Sequence, residues 1–391
     1  MSSYSILIIL SGLVVLSYLF DLFASKTRVP SVLLLLFLGI GLRYLTDYFN
    51  IRLFDFNKIL PTLGSLGLIL IVFEGALELK YSNEKNKFII NTLLIAFLIL
   101  ITTTIVIALL LSYQTGNAFM RCFVNAIPLS IISSAIAIPS VSGLSKRKKE
   151  FVIYESSFSD ILGIVFFNFA IENQTISITS FVNLAKDTIL VIVFSAAACL
   201  VLLYLMGKIR HHIKFFLIIS ILIMLYALGQ QYQLSSLILI LAFGLFLNNA
   251  NQIHLPWFQR YFIYHHLSRD LNQLLQLSAE SAFLLRTFFF VIFGFTMRIN
   301  ELQNLEIVEY GLIILCLIYL IRIFFMKMIN KTDILPETFI SPRGLISILL
   351  FFHLPTTLRL TEVGTGLLFM LIIGTSIVMT TAIFLSSKKE V

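Results

Sequence analysis

Charge is what this 391-residue sequence has least of: only 12% of it is Asp, Glu, Lys or Arg, about half the share of a typical soluble domain. So little charge excludes a soluble enzyme, a disordered chain and a nucleic-acid binder, because none could present a wetted surface. Cysteine is almost as scarce. Cys122, Cys199 and Cys316 lie far apart within apolar runs, which excludes a disulfide framework or a cysteine metal site. The six histidines show no H-E-x-x-H spacing, and the adjacent pairs His211–His212 and His265–His266 sit in polar loops. Without a phosphate-binding glycine loop, a dinucleotide glycine motif or a G-x-S-x-G elbow, an ATP-driven pump is excluded too.

Apolar residues fill the space: 59% of the chain is hydrophobic, with a mean hydropathy of +0.98. A spanning helix needs about 20 apolar residues. Cutting the chain at charged and Gly/Pro-rich stretches predicts an all-α polytopic membrane protein of about thirteen spans. They fall near 4–24, 30–48, 58–79, 88–113, 118–144, 150–171, 181–206, 214–229, 234–248, 279–298, 307–330, 335–357 and 362–386. The stretch 249–278, with Trp257, Arg260, Tyr261, Tyr264 and Arg269, predicts a helix lying at the membrane interface and linking two halves. The sequence is expected to form one transmembrane domain, 1–391, with a first repeat near 1–171, a linking span near 181–206 and a second repeat near 214–386. A retained first span and no soluble regulatory domain are expected as well.

Lys and Arg placement predicts the orientation. With the N-terminus outside, eighteen of the 28 basic residues face the cytoplasm, including Lys26, Arg28 and the run Lys146–Lys149. Seven face outward (Arg43, Arg52, Lys58, Arg121, Lys186, Arg298 and Arg359), and Arg286, Arg322 and Arg343 fall within spans. The positive-inside rule then gives a multi-pass protein with an outer N-terminus and a cytoplasmic C-terminus.

An ionisable group at mid-bilayer costs about 2.5–3.5 kcal/mol, so each one calls for a reason. The sixth span contains Glu155-Ser156-Ser157-Phe158-Ser159-Asp160. At about 100° per residue, Glu155, Ser156, Ser159, Asp160 and Gly163 share an arc of roughly 140°. Two carboxylates and two hydroxyls thus line one face of an otherwise apolar helix. A basic partner is expected from another span, and both Arg322 and Arg286 are candidates. The fifth span holds Pro128, Ser133, Ser134 and Pro139, and Pro139 predicts a disruption near Ala135. The twelfth repeats the pattern with Ser341-Pro342-Arg343-Gly344 and Pro355. Interrupted helices at matching places in two halves point to an inverted-repeat secondary transporter with discontinuous, crossing fifth and twelfth spans.

These residues resemble the monovalent cation:proton antiporter family, in its sodium/proton exchanger branch. The resemblance rests on Val29-Pro30 with Gly39 and Gly41, on Phe73-Glu74-Gly75-Ala76-Leu77-Glu78-Leu79, and on Ser133–Pro139. It rests also on Glu155-Ser156 with Ser159-Asp160, on Phe288–Gly294 and on Pro342-Arg343-Gly344. It implies a homodimer whose six-helix core moves against a dimerisation domain, in the inner (plasma) membrane of a bacterium. It also implies Asp160 as the carboxylate that binds cation and proton, and Glu155 with Arg322 as a structural ion pair. Ser133 and Ser134 stand where the crossing helix supplies oxygens, Ser159 is expected at the cation and proton site with them, and Ser156, Arg343, Glu74 and Arg286 are further candidates. The sequence departs from the pattern in two places. Ser159 stands where Asn or Asp is usual, and a Thr-Asp-Pro string is missing from the fifth span.

The expected activity is exchange of Na⁺, K⁺ or Li⁺ for H⁺, with no cofactor, since these ions are the substrates. A hard cation and a proton need the same carboxylate lone pairs, and burial raises a carboxyl pKa toward the range where the two compete. With one carboxylate titrating, the exchange is expected to be electroneutral. A potassium-efflux-type antiporter or channel is the alternative. A solute or anion symporter, with Arg322 or Arg343 gripping its substrate, fits less well beside an acidic face.

Overall fold

The computed structural model describes residues 3–27, 29–49, 56–78, 85–141, 143–173, 178–209, 215–232, 234–253, 255–264, 266–297, 305–329 and 335–387. His211–His212, His265, Leu79 and the basic residues Arg28, Arg52, Lys80, Arg210, Lys214, Arg298, Lys331, Lys388 and Lys389 lie outside them.

Every regular element among the described residues is helical. In chain order they are α1 (Ser3–Thr27), α2 (Ser31–Tyr48), α3 (Phe56–Glu78), α4 (Asn86–Thr115), α5 (Phe119–Ser130), α6 (Ser134–Ser140), α7 (Lys146–Glu172) and α8 (Ile178–Lys208). There follow α9 (Phe215–Gln231), α10 (Ser236–Asn249), α11 (Pro256–Phe262), α12 (Leu267–Thr296), α13 (Leu305–Ile329), α14 (Leu345–His353) and α15 (Thr365–Ser387). Seven helical spans among the described residues pass as membrane-crossing on length and hydropathy alone, α5 and α6 together counting as one. They stand beside the thirteen expected from the sequence. Three shorter apolar helices, Leu10–Ala24, Gly64–Leu77 and Phe215–Gln231, fall below the length required.

The chain forms two compact units. One contains Met1–Gly64, Ile89–Ile171 and Leu284–Val391; the other contains Ser65–Phe88 and Glu172–Phe283. In the second unit α10 packs along α8 and α9, and α11 lies against α8. Phe73 stacks on Phe243 at 6.0 Å between ring centroids, over the bare face of Gly244. The Tyr264 hydroxyl donates to Asp270 Oδ2 (2.7 Å), and burial together with that carboxylate pushes the phenol well above its ordinary pKa.

The first unit depends on close backbone approach, since helices in lipid gain little from burying apolar surface and must pair through packing and polar contacts. Gly39 of α2 and Gly294 of α12 face each other so closely that a Cβ on Gly39 would stand 2.8 Å from the Phe295 amide nitrogen. Arg43, one turn along α2, donates to the Phe295 carbonyl (3.0 Å) and pairs with Asp47 (3.5 Å).

Two sequence expectations need correction. The tenth span starts at Leu267 rather than at 279, so within 249–278 only Pro256–Phe262 is a separate α-helix. Leu267, Leu271, Leu274, Ser278 and Ala282 are all buried at helical spacing, and that continuous face carries the helix through the polar residues around it. The exposed aromatics Trp257 and Tyr261 do belong to the short helix. The fifth span breaks at Ile131–Ser133, not at the turn before Pro139, and Pro139 lies inside α6. The proline leaves the Ala135 carbonyl without its usual helical donor. Arg286 Nη1 donates to that carbonyl instead (3.2 Å), which lets α6 continue through the proline.

Candidate functional site

The first unit brings the two interrupted stretches together. At the end of α5 the backbone turns extended: Ile131 has φ −71° and ψ 134°, and Ser133 has φ −81° and ψ 114°. In the twelfth span, Ile340–Gly344 separates a short 3-10 turn (Glu337–Phe339) from α14. A buried break leaves amides without helical acceptors, and each such orphan costs about 1–3 kcal/mol. Here three consecutive amides are all satisfied from outside the helix. Ile132 N donates to Ser159 Oγ (2.9 Å), Ser133 N to the Pro342 carbonyl (2.8 Å) and Ser134 N to Asp160 Oδ2 (3.2 Å). The carboxylate-bearing face of α7 and the second break thus hold the first break open. Two glycines make this approach possible. Gly163 of α7 leaves the space that the Ile131 side chain fills, and a Cβ on Gly344 would stand 2.8 Å from Ile136 Cδ1 and 2.9 Å from Ser133 Cβ.

Asp160, 6% exposed, therefore sits beside the meeting point of both breaks with one oxygen on a backbone amide. The Ser133 side chain is 1% exposed, and its hydroxyl has no hydrogen-bond partner among the described residues. Ser134 contributes its amide. Ser159 uses its oxygen as the acceptor for Ile132. Ser156 is turned back onto its own helix, donating to the Val152 carbonyl (2.7 Å).

Glu155 has a different neighbourhood. Arg322 of α13 grips it with two bonds, Nη1 to Oε1 at 2.6 Å and Nη2 to Oε2 at 2.7 Å, with both side chains essentially unexposed. The rest of the guanidinium is also used: Nε donates to the Thr338 carbonyl (2.7 Å), and Nη2 to those of Glu337 (2.9 Å) and Ile340 (3.0 Å). Arg322 thus joins α7, α13 and the segment before α14. A planar five-donor fork suits this geometry, and a lysine could not reproduce it. Arg286, the other candidate, makes its bond at Ala135.

Arg343 lies in the second break, 1% exposed. Its Nε donates to the Leu129 carbonyl (2.9 Å), Nη2 to Ser130 (3.1 Å) and Nη1 to Ser341 (2.8 Å). It therefore caps the carbonyl end of α5, where a positive charge is favoured. Glu74 lies on α3 in the other compact unit.

Sequence reasoning missed two supporting residues. Thr375 accepts the Arg343 amide on Oγ1 (3.0 Å), and its carbonyl accepts the Tyr319 hydroxyl (3.4 Å). Its signal was a small polar cluster, Gly374-Thr375-Ser376, in an apolar span. Asn125 donates to the Leu358 carbonyl (2.8 Å) and accepts the Leu360 amide (3.2 Å), pinning the chain beyond α14 to α5. A buried amide in an apolar helix was the available clue.

Comparison with known proteins places this geometry. The family described as sodium/hydrogen exchanger, transmembrane, matches residues 11–389. No curated protein matches the sequence. Among solved structures, the sodium proton antiporter MjNhaP1 from Methanocaldococcus jannaschii at pH 8 superimposes with a TM-score of 0.72 at 20% identity, covering 99% of this chain and 100% of that one. A second structure of that antiporter, from electron microscopy, gives 0.68 at 18% identity, with 99% and 96% covered. These likenesses establish a shared fold, and the match over nearly the whole sequence establishes the kinship. The chain is a multi-pass membrane protein of the sodium/hydrogen exchanger family, a family of transporters and not of enzymes.

Proposed function

We propose that this protein is a secondary active antiporter that exchanges a monovalent cation for a proton, one for one, by alternating access, with Asp160 as the shared site. One observation carries the reading. Asp160 is a buried carboxylate at the junction of two broken stretches, with the unpartnered Ser133 hydroxyl on the residue next to its amide donor. Glu155, five residues earlier, is committed to Arg322, so the reading assigns the transported ion to Asp160 and not to Glu155.

The chemistry follows from competition for lone pairs. Ionised Asp160 takes the cation, with Ser133 Oγ and backbone oxygens completing its shell. Protonated Asp160 releases it. Either loaded form is neutral at the carboxylate and passes through the apolar barrier; the empty, charged form is held back by the cost of burying it. Exchange is enforced by that difference. Ser159 adds no second charge, and this supports an electroneutral cycle. The antiporter named among the similar structures supports sodium as cargo, and lithium and potassium compete on the same chemistry. The basic-residue asymmetry supports an outer N-terminus and a cytoplasmic C-terminus, and the family kinship supports work as a homodimer in a plasma (inner) membrane.

The test is Asp160→Asn in proteoliposomes, with a pH-sensitive dye reporting proton movement driven by Na⁺, Li⁺ or K⁺. Exchange is lost while detergent melting temperature and elution volume stay as in the wild type. Wild-type rates in this variant would overturn the site.

A further inference from the structure

In the first unit the two breaks meet through a single peptide group, the one between Pro342 and Arg343. Its carbonyl accepts the Ser133 amide (2.8 Å), and its N–H donates to Thr375 Oγ1 (3.0 Å). A trans peptide is planar and points these two groups in opposite directions, so Ser133 and Thr375 hold the unit from its two ends. The proline ring fixes φ at 342, which leaves ψ of Pro342 and φ of Arg343 to turn that plane. A hydrogen bond on each side removes the freedom.

The chain is tied again one residue further on, where the Ser134 amide donates to Asp160 Oδ2 (3.2 Å). Ser133 itself is extended, with φ −81° and ψ 114°, so its own amide and the next one leave opposite sides of the backbone. A continuous series thus runs from the Leu371 carbonyl through Thr375, the Pro342–Arg343 peptide and Ser133 to Asp160. Thr375 is suited to anchor it. Its hydroxyl proton goes to the Leu371 carbonyl (2.7 Å), which leaves only lone pairs for the Arg343 amide. The side chain is fully buried, and α15 is seated on α13 beside it: a Cβ on Gly374 would stand 3.2 Å from Leu315 Cδ1. In such a low dielectric each bond is strengthened by its neighbours.

We propose that Thr375 is a positioning residue for the transported cation. Acting through the Pro342–Arg343 peptide, it sets where the Ser133 hydroxyl and the Ser134 amide stand relative to Asp160. The consequence for transport rests on the antiport reading; the series of bonds does not. Thr375 itself touches no cation, so its loss shows as weaker cation binding and not as slower turnover. The methyl and the hydroxyl of threonine can be separated by substitution. Valine keeps the shape and drops the hydroxyl, whereas serine keeps the hydroxyl and drops the methyl. If Thr375 only filled space, valine would be the mild change and serine the damaging one. Positioning reverses that order.

The test compares the full-length wild type with Thr375→Val, Thr375→Ser and Thr375→Cys, by Na⁺-driven transport in proteoliposomes and by amide deuteration in detergent. Thr375→Val is expected to raise the Na⁺ KM about fivefold, the worth of one ordinary hydrogen bond, with kcat within about twofold of the wild type. Thr375→Ser should keep KM within about twofold, and Thr375→Cys, whose sulfur is a weak acceptor, should fall between. Deuteration of the segments 131–134 and 340–344 should quicken several-fold in Thr375→Val and stay as in the wild type in Thr375→Ser. A wild-type KM in Thr375→Val, a Thr375→Ser as impaired as Thr375→Val, kcat lost at unchanged KM, or equal deuteration in the two variants overturns the proposal. Should Thr375→Val fail to fold, Thr375→Cys against Thr375→Ser decides, and equal KM values overturn it. Deuteration needs no transport, and Asp160→Asn is measured alongside. Wild-type transport by Asp160→Asn sinks the antiport site and leaves the deuteration result standing. An inactive Asp160→Asn beside an unaltered Thr375→Val overturns Thr375 alone.

Discussion

Removing either half of the Glu155–Arg322 pair should destabilise the protein, and by unequal amounts. Breaking a buried ion pair by deleting one partner costs about 3–5 kcal/mol, because the other charge is left in a low dielectric. After Glu155→Gln, Arg322 keeps its bonds to the Glu337, Thr338 and Ile340 carbonyls, and the loss should sit near the lower end, about 3 kcal/mol. After Arg322→Met, Glu155 loses both donors and the three carbonyls lose theirs as well, at about 1–3 kcal/mol for each buried orphan. That loss should exceed about 5 kcal/mol, because a buried carboxylate and three buried carbonyls are left without donors together. Melting temperatures in detergent should run wild type, Glu155→Gln, then Arg322→Met. The double variant should melt above Arg322→Met, since no unpaired carboxylate remains. Additive losses in the double variant, or Glu155→Gln melting lowest, would refute both the pairing and the cost assigned to the carbonyls.

Three further outcomes are expected. Ser133→Ala removes a buried hydroxyl that bonds nothing among the described residues, so stability should change by under about 1 kcal/mol while the apparent cation KM rises several-fold in proteoliposomes; a purely structural Ser133 would lower the melting temperature and leave KM alone. Gly344→Val should drive a side chain into Ser133 and Ile136 and abolish exchange, with Gly344→Ala intermediate, and uptake rates in the order Gly, Ala, Val check this. Exchange by the purified protein should be insensitive to a potassium–valinomycin potential, and its apparent cation affinity should improve as pH rises and protons leave Asp160; transport driven by the potential would mean that a second group carries charge.

The membrane class, the helical content and the identity of the buried charges were legible in the sequence. They follow from composition and from the cost of placing a charge in lipid, which act on every residue regardless of its neighbours. The shared face of Glu155, Ser156, Ser159 and Asp160 was legible for the same kind of reason, since helical periodicity is local. Periodicity also misled: polar residues between 267 and 278 masked a helix whose buried Leu face runs straight into the next span. Tertiary structure alone decided where the fifth span breaks. A proline costs a helix one donor, which Arg286 offsets at Ala135; three adjacent amides leave the helix only because Ser159, Pro342 and Asp160 stand ready to accept them. It decided, too, that Arg322 and not Arg286 meets Glu155, and that Arg343 caps α5. Those partners lie between 15 and 214 residues apart in sequence, and no local rule relates them. A buried charge announces that it needs a partner, but only the packed chain determines which group comes within hydrogen-bond distance.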